Sequence, residues 1–277
     1  MRRFRRSAGS GTEPSGIRSC KGCRLALAIL VVLWVGTGFI HTQKALPDGI
    51  SLEGPYRAVG DVEFLFDLTT GPPESGTVEQ QIFDRVFSMI TEADEFIVLD
   101  MFLFNGSPAG EEAYRGLSRE LTDSLVAWMG RGGERQAIFI TDEVNSFYGA
   151  AMSPELRRLT DAGVQVVITR LSRLRDSNPA FSGFWRVALQ WFGTAGPGWL
   201  PNFLSSSGGK VPARAYLKLL NFKANHRKAI VTDQECLVTS ANPHDGSARH
   251  SNIAFAGSGP ICGDILEGEK SVAAFSG

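Results

Sequence analysis

The sequence has almost no net charge and little metal-binding chemistry: a formal charge of -1, four cysteines and four histidines in 277 residues. Near-neutrality argues against a generic nucleic-acid binder, although it leaves room for a local basic cleft. Cys20 and Cys23 form a C-x-x-C, but no second pair or histidine accompanies it, so zinc has no support and two unpaired thiols are expected. Cys236 and Cys262 lie in apolar surroundings suited to buried thiols, and a disulfide between them stays open outside the cytoplasm. There is no internal repeat. Gly208-Gly209-Lys210 lacks the earlier glycine and the Ser or Thr of a P-loop. What is present, 43% hydrophobic and 21% charged residues, supports one globular domain with appendages.

One long apolar run stands out. Leu25 to Ile40 carries no charge and as a helix reaches about 24 Å, slightly short of a hydrocarbon core, with Arg24 and His41 able to snorkel at its ends. A cleaved signal peptide is the rival, but the apolar stretch is long for one and no small-x-small site precedes Lys44. The basic residues from Arg2 to Arg24, against few after the run, place the amino terminus in the cytoplasm and the bulk of the chain across the membrane. The expected layout is a basic tail over 1–24, a transmembrane anchor over 25–41, a Pro- and Gly-punctuated linker over 42–60, and a folded domain over 61–277.

Within that domain, strands and helices alternate, which implies a layered α/β fold. Strands are expected at Val62–Leu68, Phe96–Phe104, Ala137–Thr141 and Val164–Thr169. Helices are expected after Thr77 as a cap, with Ile82, Val86, Met89 and Ile90 at helical spacing, over Glu111–Met129, and over Ser153–Ala162. The segment Phe181–Leu204 breaks this rhythm, with eight large apolar residues around one charge, Arg186. Burial over the core is the plainer expectation, and a membrane-interfacial segment the alternative.

The chemistry gathers between Asn221 and Asn252. His226-Arg227-Lys228 through Asp233 fits H-x-K-x4-D, followed by Thr239-Ser240-Ala241-Asn242. On a strand, His226 and Lys228 share a face because side chains alternate with period two. An imidazole beside an ammonium suits phosphate chemistry: the imidazole can attack phosphorus, and the ammonium can neutralise charge on the non-bridging oxygens. His244, Asp245 and His250 have irregular spacing for a metal site, and Asp142 and Glu143 at a strand end suit capping.

With these motifs the sequence resembles the phospholipase D superfamily, whose H-x-K-x4-D is followed by a G-S-x-N turn. Phe96–Asn105, Ala137–Asn145 and Ala162–Thr169 look like the strands that precede the motif in cardiolipin synthase-like members. The resemblance implies an α/β/α domain with a mixed sheet. It also implies a catalytic set of His226 as nucleophile, Lys228, and Asp233 as a structural member. Lys228, Ser240 and Asn242 would hold phosphate oxygens, and no metal or cofactor is implied. Three departures accompany it. Thr239 replaces the turn glycine one residue early, and the acid that orients the imidazole is missing, leaving Asn252, Ser251 or Asp245. The motif also occurs once where active sites of the family combine two. The second half is expected from a homodimer partner or from sequence beyond Gly277, where Ala273-Ala274-Phe275 reads as a face awaiting a partner.

Two classes of function follow. The first is a phospholipid phosphodiesterase or phosphatidyltransferase, with a superfamily nuclease as its alternative if Lys210, Arg214, Lys218, Lys223 and Arg227 line a basic groove. The second is an anchored, catalytically incomplete scaffold that binds anionic lipid.

Overall fold

The computed structural model describes residues 21–71, 76–106, 115–203 and 209–277. Cys20, Gly208, the start of the expected helix at Glu111 and most of the basic tail lie outside them. The first described element is a helix, α1 (Lys21–Gln43), long and apolar enough to cross a membrane. Its 23 residues span about 35 Å, longer than the charge-free run because Lys21 and Arg24 begin the helix. Residues 44–59 are irregular apart from a turn.

Two strands follow, β1 (Gly60–Thr70) and β2 (Thr77–Gln80), and pair antiparallel. Thr77 is therefore a strand residue and not a helix cap. The cap falls to Asp67, whose Oδ1 accepts from the Gln81 and Ile82 amides at 3.0 and 3.1 Å and starts α2 (Ile82–Glu92). Ile82, Phe83, Val86, Met89 and Ile90 form its buried face, as the spacing requires.

Next come β3 (Phe96–Met101), α3 (Leu117–Met129), β4 (Gln136–Thr141), α4 (Pro154–Asp161) and β5 (Gln165–Ile168). β3 stops three residues before the apolar run does. The Leu103 and Phe104 amides turn away from the ladder to the Asn242 and Asn145 side chains, at 3.1 and 2.9 Å. The α3 helix starts only at Leu117, after a non-helical Arg115 and Gly116. Ser153 caps α4 through Leu156 N, with Pro154 in the first turn.

The remaining elements are α5 (Pro179–Phe184), β6 (Leu200–Pro201), β7 (Lys210–Val211), α6 (Ala213–Leu219), β8 (Lys228–Thr232), β9 (Cys236–Thr239), β10 (Asn252–Ser258) and α7 (Pro260–Ser276). The main sheet runs β2-β1-β10-β9-β8-β3-β4-β5, parallel only across β3, β4 and β5. Helices α2, α3 and α4 bury one face, around Phe83, Trp128, Leu99, Phe139 and Ile230. α7 covers the other through Leu266 and Val272 against Val98 and Ile140. This is an α/β/α domain with a mixed sheet. Ala273 and Phe275 pack on the sheet beside Val272, so the face expected to await a partner is already covered here.

The Cys236–Cys262 pair left open by the sequence is bonded, joining β9 to α7 across 26 residues. Replacing both cysteines with alanine is expected to lower the unfolding free energy by about 2–4 kcal/mol, because the cross-link restricts the unfolded chain. Denaturant titration of the two forms checks this, and coincident curves would mean that the bond contributes nothing.

The aromatic segment departs from the plainer expectation. Trp185 is buried, but Trp191, Trp199 and Phe192 are 75%, 69% and 67% exposed. The segment does not roof the core. Its α5 instead clasps the last turns of α1, where Trp34 Nε1 donates to Ala180 O at 2.6 Å. A Cβ on Gly38 would lie 2.8 Å from Pro179 O, so glycine permits this close approach.

Candidate active site

The segment entering β8 alternates faces. Asn225 and Arg227 turn toward the α7 side of the sheet, where they meet Asp100 and Glu269, while His226 and Lys228 turn to the other side beside Phe102. The register of β3 on β8 sets Met101 opposite Lys228 and Asp100 opposite Ala229, which fixes this sorting. The site lies where β3 and β4 end and the chain loops over the sheet edge.

The Lys228 side chain is buried and its Nζ lies 3.3 and 3.4 Å from the two ring nitrogens of His226, and 3.1 Å from His226 O. The imidazole itself is exposed. Its ring lies tilted by 50° against Phe102, with centroids 4.5 Å apart, and the Phe102 face also receives the ammonium at 5.3 Å. An accessible nucleophile thus rests on a cation and an aromatic floor. Burial, then Lys228, lowers the pKa of His226 below its ordinary 6.5, keeping the attacking nitrogen unprotonated at neutral pH. Burial also lowers that of Lys228, opposed by Asp100 across the sheet. The neutral imidazole is the nucleophilic form. The acid limb of kcat/KM is therefore expected below pH 6.5, and to move upward in Lys228→Met as that charge is removed. A pH profile with an unmoved limb would exclude this coupling.

Behind the strand lies a buried polar network that holds it. Asn225 Nδ2 donates to both Asp100 oxygens at 2.9 Å and to Thr169 Oγ1 at 2.9 Å, and its backbone N–H donates to Asp142 Oδ2 at 2.6 Å. Burial raises the Asp142 carboxyl to about 6, against hydrogen bonds from Val144 and Asn225 that lower it. Burial, then the neighbouring Glu269, holds Asp100 well above the usual carboxyl range. Arg227 completes the set through Glu269 at 3.1 Å.

The other residues expected at the site are placed less directly. Asp233 sits past the opposite end of β8, where Oδ1 accepts from the Asp94, Glu95 and Phe96 amides at 3.1, 3.2 and 3.4 Å. It braces the turn into β3 and is remote from the chemistry along its strand. Asn242 Oδ1 accepts from Leu103 N, which leaves its amide NH2 as the end suited to a phosphate. Ser240 Oγ bonds to Asn252 Oδ1 and Ile253 N, both at 3.1 Å, so these two candidates serve each other in the β10 pairing. Ser251 Oγ accepts from Thr69 N of β1, and Asp245 Oδ1 accepts from Ser118 N and Oγ at the start of α3. Among the described residues the imidazole's hydrogen-bond contact is Lys228, while Asn252, Ser251 and Asp245 bond to Ser240, Thr69 and Ser118. His244 Nδ1 pairs with Ser247 Oγ, and among the described residues no group of three or more metal-binding side chains forms. Of the basic residues named for a nuclease groove, Arg227 faces α7, Lys218 pairs with Glu143 and Lys223 with Asp176.

The chain is similar in structure to a phospholipase D family member. That protein is Nuc from Salmonella typhimurium, with a TM-score of 0.39 at 15% identity over 76% of this chain and 93% of that one. NucT from Helicobacter pylori gives 0.43 at 11% identity, over 78% and 98%. Phosphatidylserine synthase from Haemophilus influenzae Rd KW20 gives 0.35 at 10% identity, over 76% and 38%. No family model and no curated protein matches the sequence.

Phe102, Asn225 and Asp100 were not anticipated as parts of the site. The signal for Asn225 was in the sequence, since alternation continued one step before His226 puts it in the sheet's far layer. Phe102 and Asp100 depend on the β3–β8 register, which no local pattern carries.

Proposed function

We propose that this chain is a membrane-anchored phosphodiesterase or phosphatidyltransferase of phospholipase D type, acting on phospholipid through a phosphohistidine at His226. The supporting observation is the exposed imidazole set against the buried Lys228 ammonium at the sheet edge. His226 attacks phosphorus, the bond to the leaving alcohol breaks, and Lys228 neutralises the equatorial oxygens as charge gathers there. Water or a second alcohol then releases the phosphoryl group, giving hydrolysis or transfer. Lys228, with the amide of Asn242, is the proposed phosphate cradle.

The leaving oxygen must be protonated from the side opposite the attack, and one strand presents only one imidazole. A second H-x-K-x4-D is therefore proposed to complete the site, supplied by a second copy of this chain through a two-fold interface or by another segment. The α1 helix is proposed as an uncleaved anchor with its amino end cytoplasmic, because its last turns are built into the domain through α5. A Cys236–Cys262 bond suits an oxidising compartment on the far side.

The full chain in vesicles is expected to turn over phosphatidylglycerol and to leave a DNA duplex intact, with activity falling on dilution to monomer. Cleavage of DNA alone would reverse the substrate assignment, and full activity of a monomer would exclude the paired motif.

A further inference from the structure

A second polar cavity lies apart from His226, where α1 leaves the membrane-spanning stretch and meets the aromatic segment. It measures about 190 Å³, and its polar lining includes His41, Arg186, Lys218, Lys223 and Glu143. Three lining atoms are buried without a hydrogen-bond partner, His41 Nδ1, Arg186 Nε and Glu143 Oε2, the last of them ion-paired with Lys218 at 2.8 Å. Arg186 Nε is an unmet buried donor, which is costly, and the Glu143 carboxylate is taken up by Lys218, so the cavity suits an added acceptor.

The charges agree in sign. Asp176 is the shared partner of Arg186 and of Lys223, at 2.8 Å for the lysine, so one carboxylate answers two cations. Lys44 lies close by, and its pKa is pushed down to about 8 by burial and then by Lys223. Only Lys218 has an acid to itself, Glu143 at 2.8 Å. The surplus positive charge stands directly below the apolar surface of α1. There, Trp34, Val35, Gly38 and Phe39 form a groove of about 450 Å³ with Pro179 and Ala180 of α5. Leu25 to Val35 are exposed along the rest of the helix, and Trp191, Phe192 and Trp199 are exposed in the segment that follows α5. A cationic cavity and an apolar groove at the same end of one helix, with His41 lining the first and Thr42 the second, match one kind of occupant.

We propose that this cavity is a phospholipid site separate from the catalytic one, in which His41, Arg186 and Lys223 hold the phosphate of an anionic lipid while an acyl chain lies in the groove between α1 and α5. The lipid would act as a wedge that fixes the domain against the bilayer. This stands independently of the catalytic reading, since none of its residues belongs to the site at His226.

The test is native mass spectrometry of the full chain, extracted from vesicles of equal parts phosphatidylcholine and phosphatidylglycerol. The wild type is expected to retain one phosphatidylglycerol. Lys218→Gln with Lys223→Gln keeps the Arg186–Asp176 pair but leaves Glu143 unpaired in the cavity, and is expected to reduce retention about tenfold or more, the scale of a lost charge-assisted contact. Ser172→Asp places a negative charge at the exposed rim, and is expected to do the same in a chain whose melting temperature is unchanged. Lys228→Met is expected to keep the lipid. Retention of phosphatidylcholine and phosphatidylglycerol alike, or no retention, overturns the proposal. So does loss of the lipid in Lys228→Met, which would place it in the catalytic site. Displacement of the lipid by inorganic phosphate would also overturn it, by marking a pocket for the free ion.

Discussion

His226→Ala is expected to lower phosphodiester turnover by about 10⁴-fold or more, with the melting temperature and far-ultraviolet spectrum retained. The imidazole is exposed and its ring contributes a tilted contact with Phe102 and its contacts with Lys228, so little of the core depends on it. Asn225, one residue earlier, carries the structural load through Asp100, Thr169 and Asp142. The two neighbours should therefore separate cleanly. Loss at position 226 should remove chemistry and spare the fold, whereas Asn225→Ala should destabilise the protein by leaving buried Asp100 and Thr169 without their side-chain donor, the backbone bond to Asp142 being kept. Turnover at the wild-type rate in His226→Ala, measured on phosphatidylglycerol with the full chain, would end the assignment.

Lys228→Met is expected to lower kcat by about 10²–10³-fold with little change in KM, the loss typical of one preorganised donor in a water-poor site. Methionine matches the length of the buried stem and so limits the cavity left behind. Its ammonium lies against both the imidazole and the Phe102 face, where the phosphate's non-bridging oxygens would approach. If its charge acts in the transition state, the cost appears in kcat even at saturating substrate. A change confined to KM would make Lys228 a binding group only.

The parts of the site visible in the sequence are those set by local period. His226 and Lys228, two apart on a strand, had to share a face, and their side chains meet there. Asn225 and Arg227 by the same rule had to share the other. What depends on register between distant strands was not visible. Asp100 comes under Asn225 only because β3 pairs with β8, and Ser240 turns to Asn252 only because β9 pairs with β10. The missing orienting acid shows the same limit. Asn252, Ser251 and Asp245 were equal candidates by position along the chain, yet each is held by a different neighbour: Ser240, Thr69 and Ser118.

Elements followed the same division. The α2 and α4 helices appear where apolar spacing and Ser153 put them, while Thr77 went to a strand because β1 offered it a ladder and Asp67 supplied the cap. The aromatic segment was ambiguous for a physical reason. Trp and Phe favour both a core and a membrane boundary, so composition alone does not separate them. The structure buries Trp185 and leaves Trp191 and Trp199 outside the core, with α5 docked on α1.

The central claim is that His226 forms a covalent bond to phosphorus. It is tested most directly by incubating the full chain with phosphatidylglycerol labelled in its phosphate, quenching in base, and mapping the labelled peptide by mass spectrometry. The expected result is a phosphoryl adduct on the peptide containing His226, stable in base, released by acid, and absent from His226→Ala. Turnover without such an adduct, or label on a peptide that does not contain His226, would contradict it.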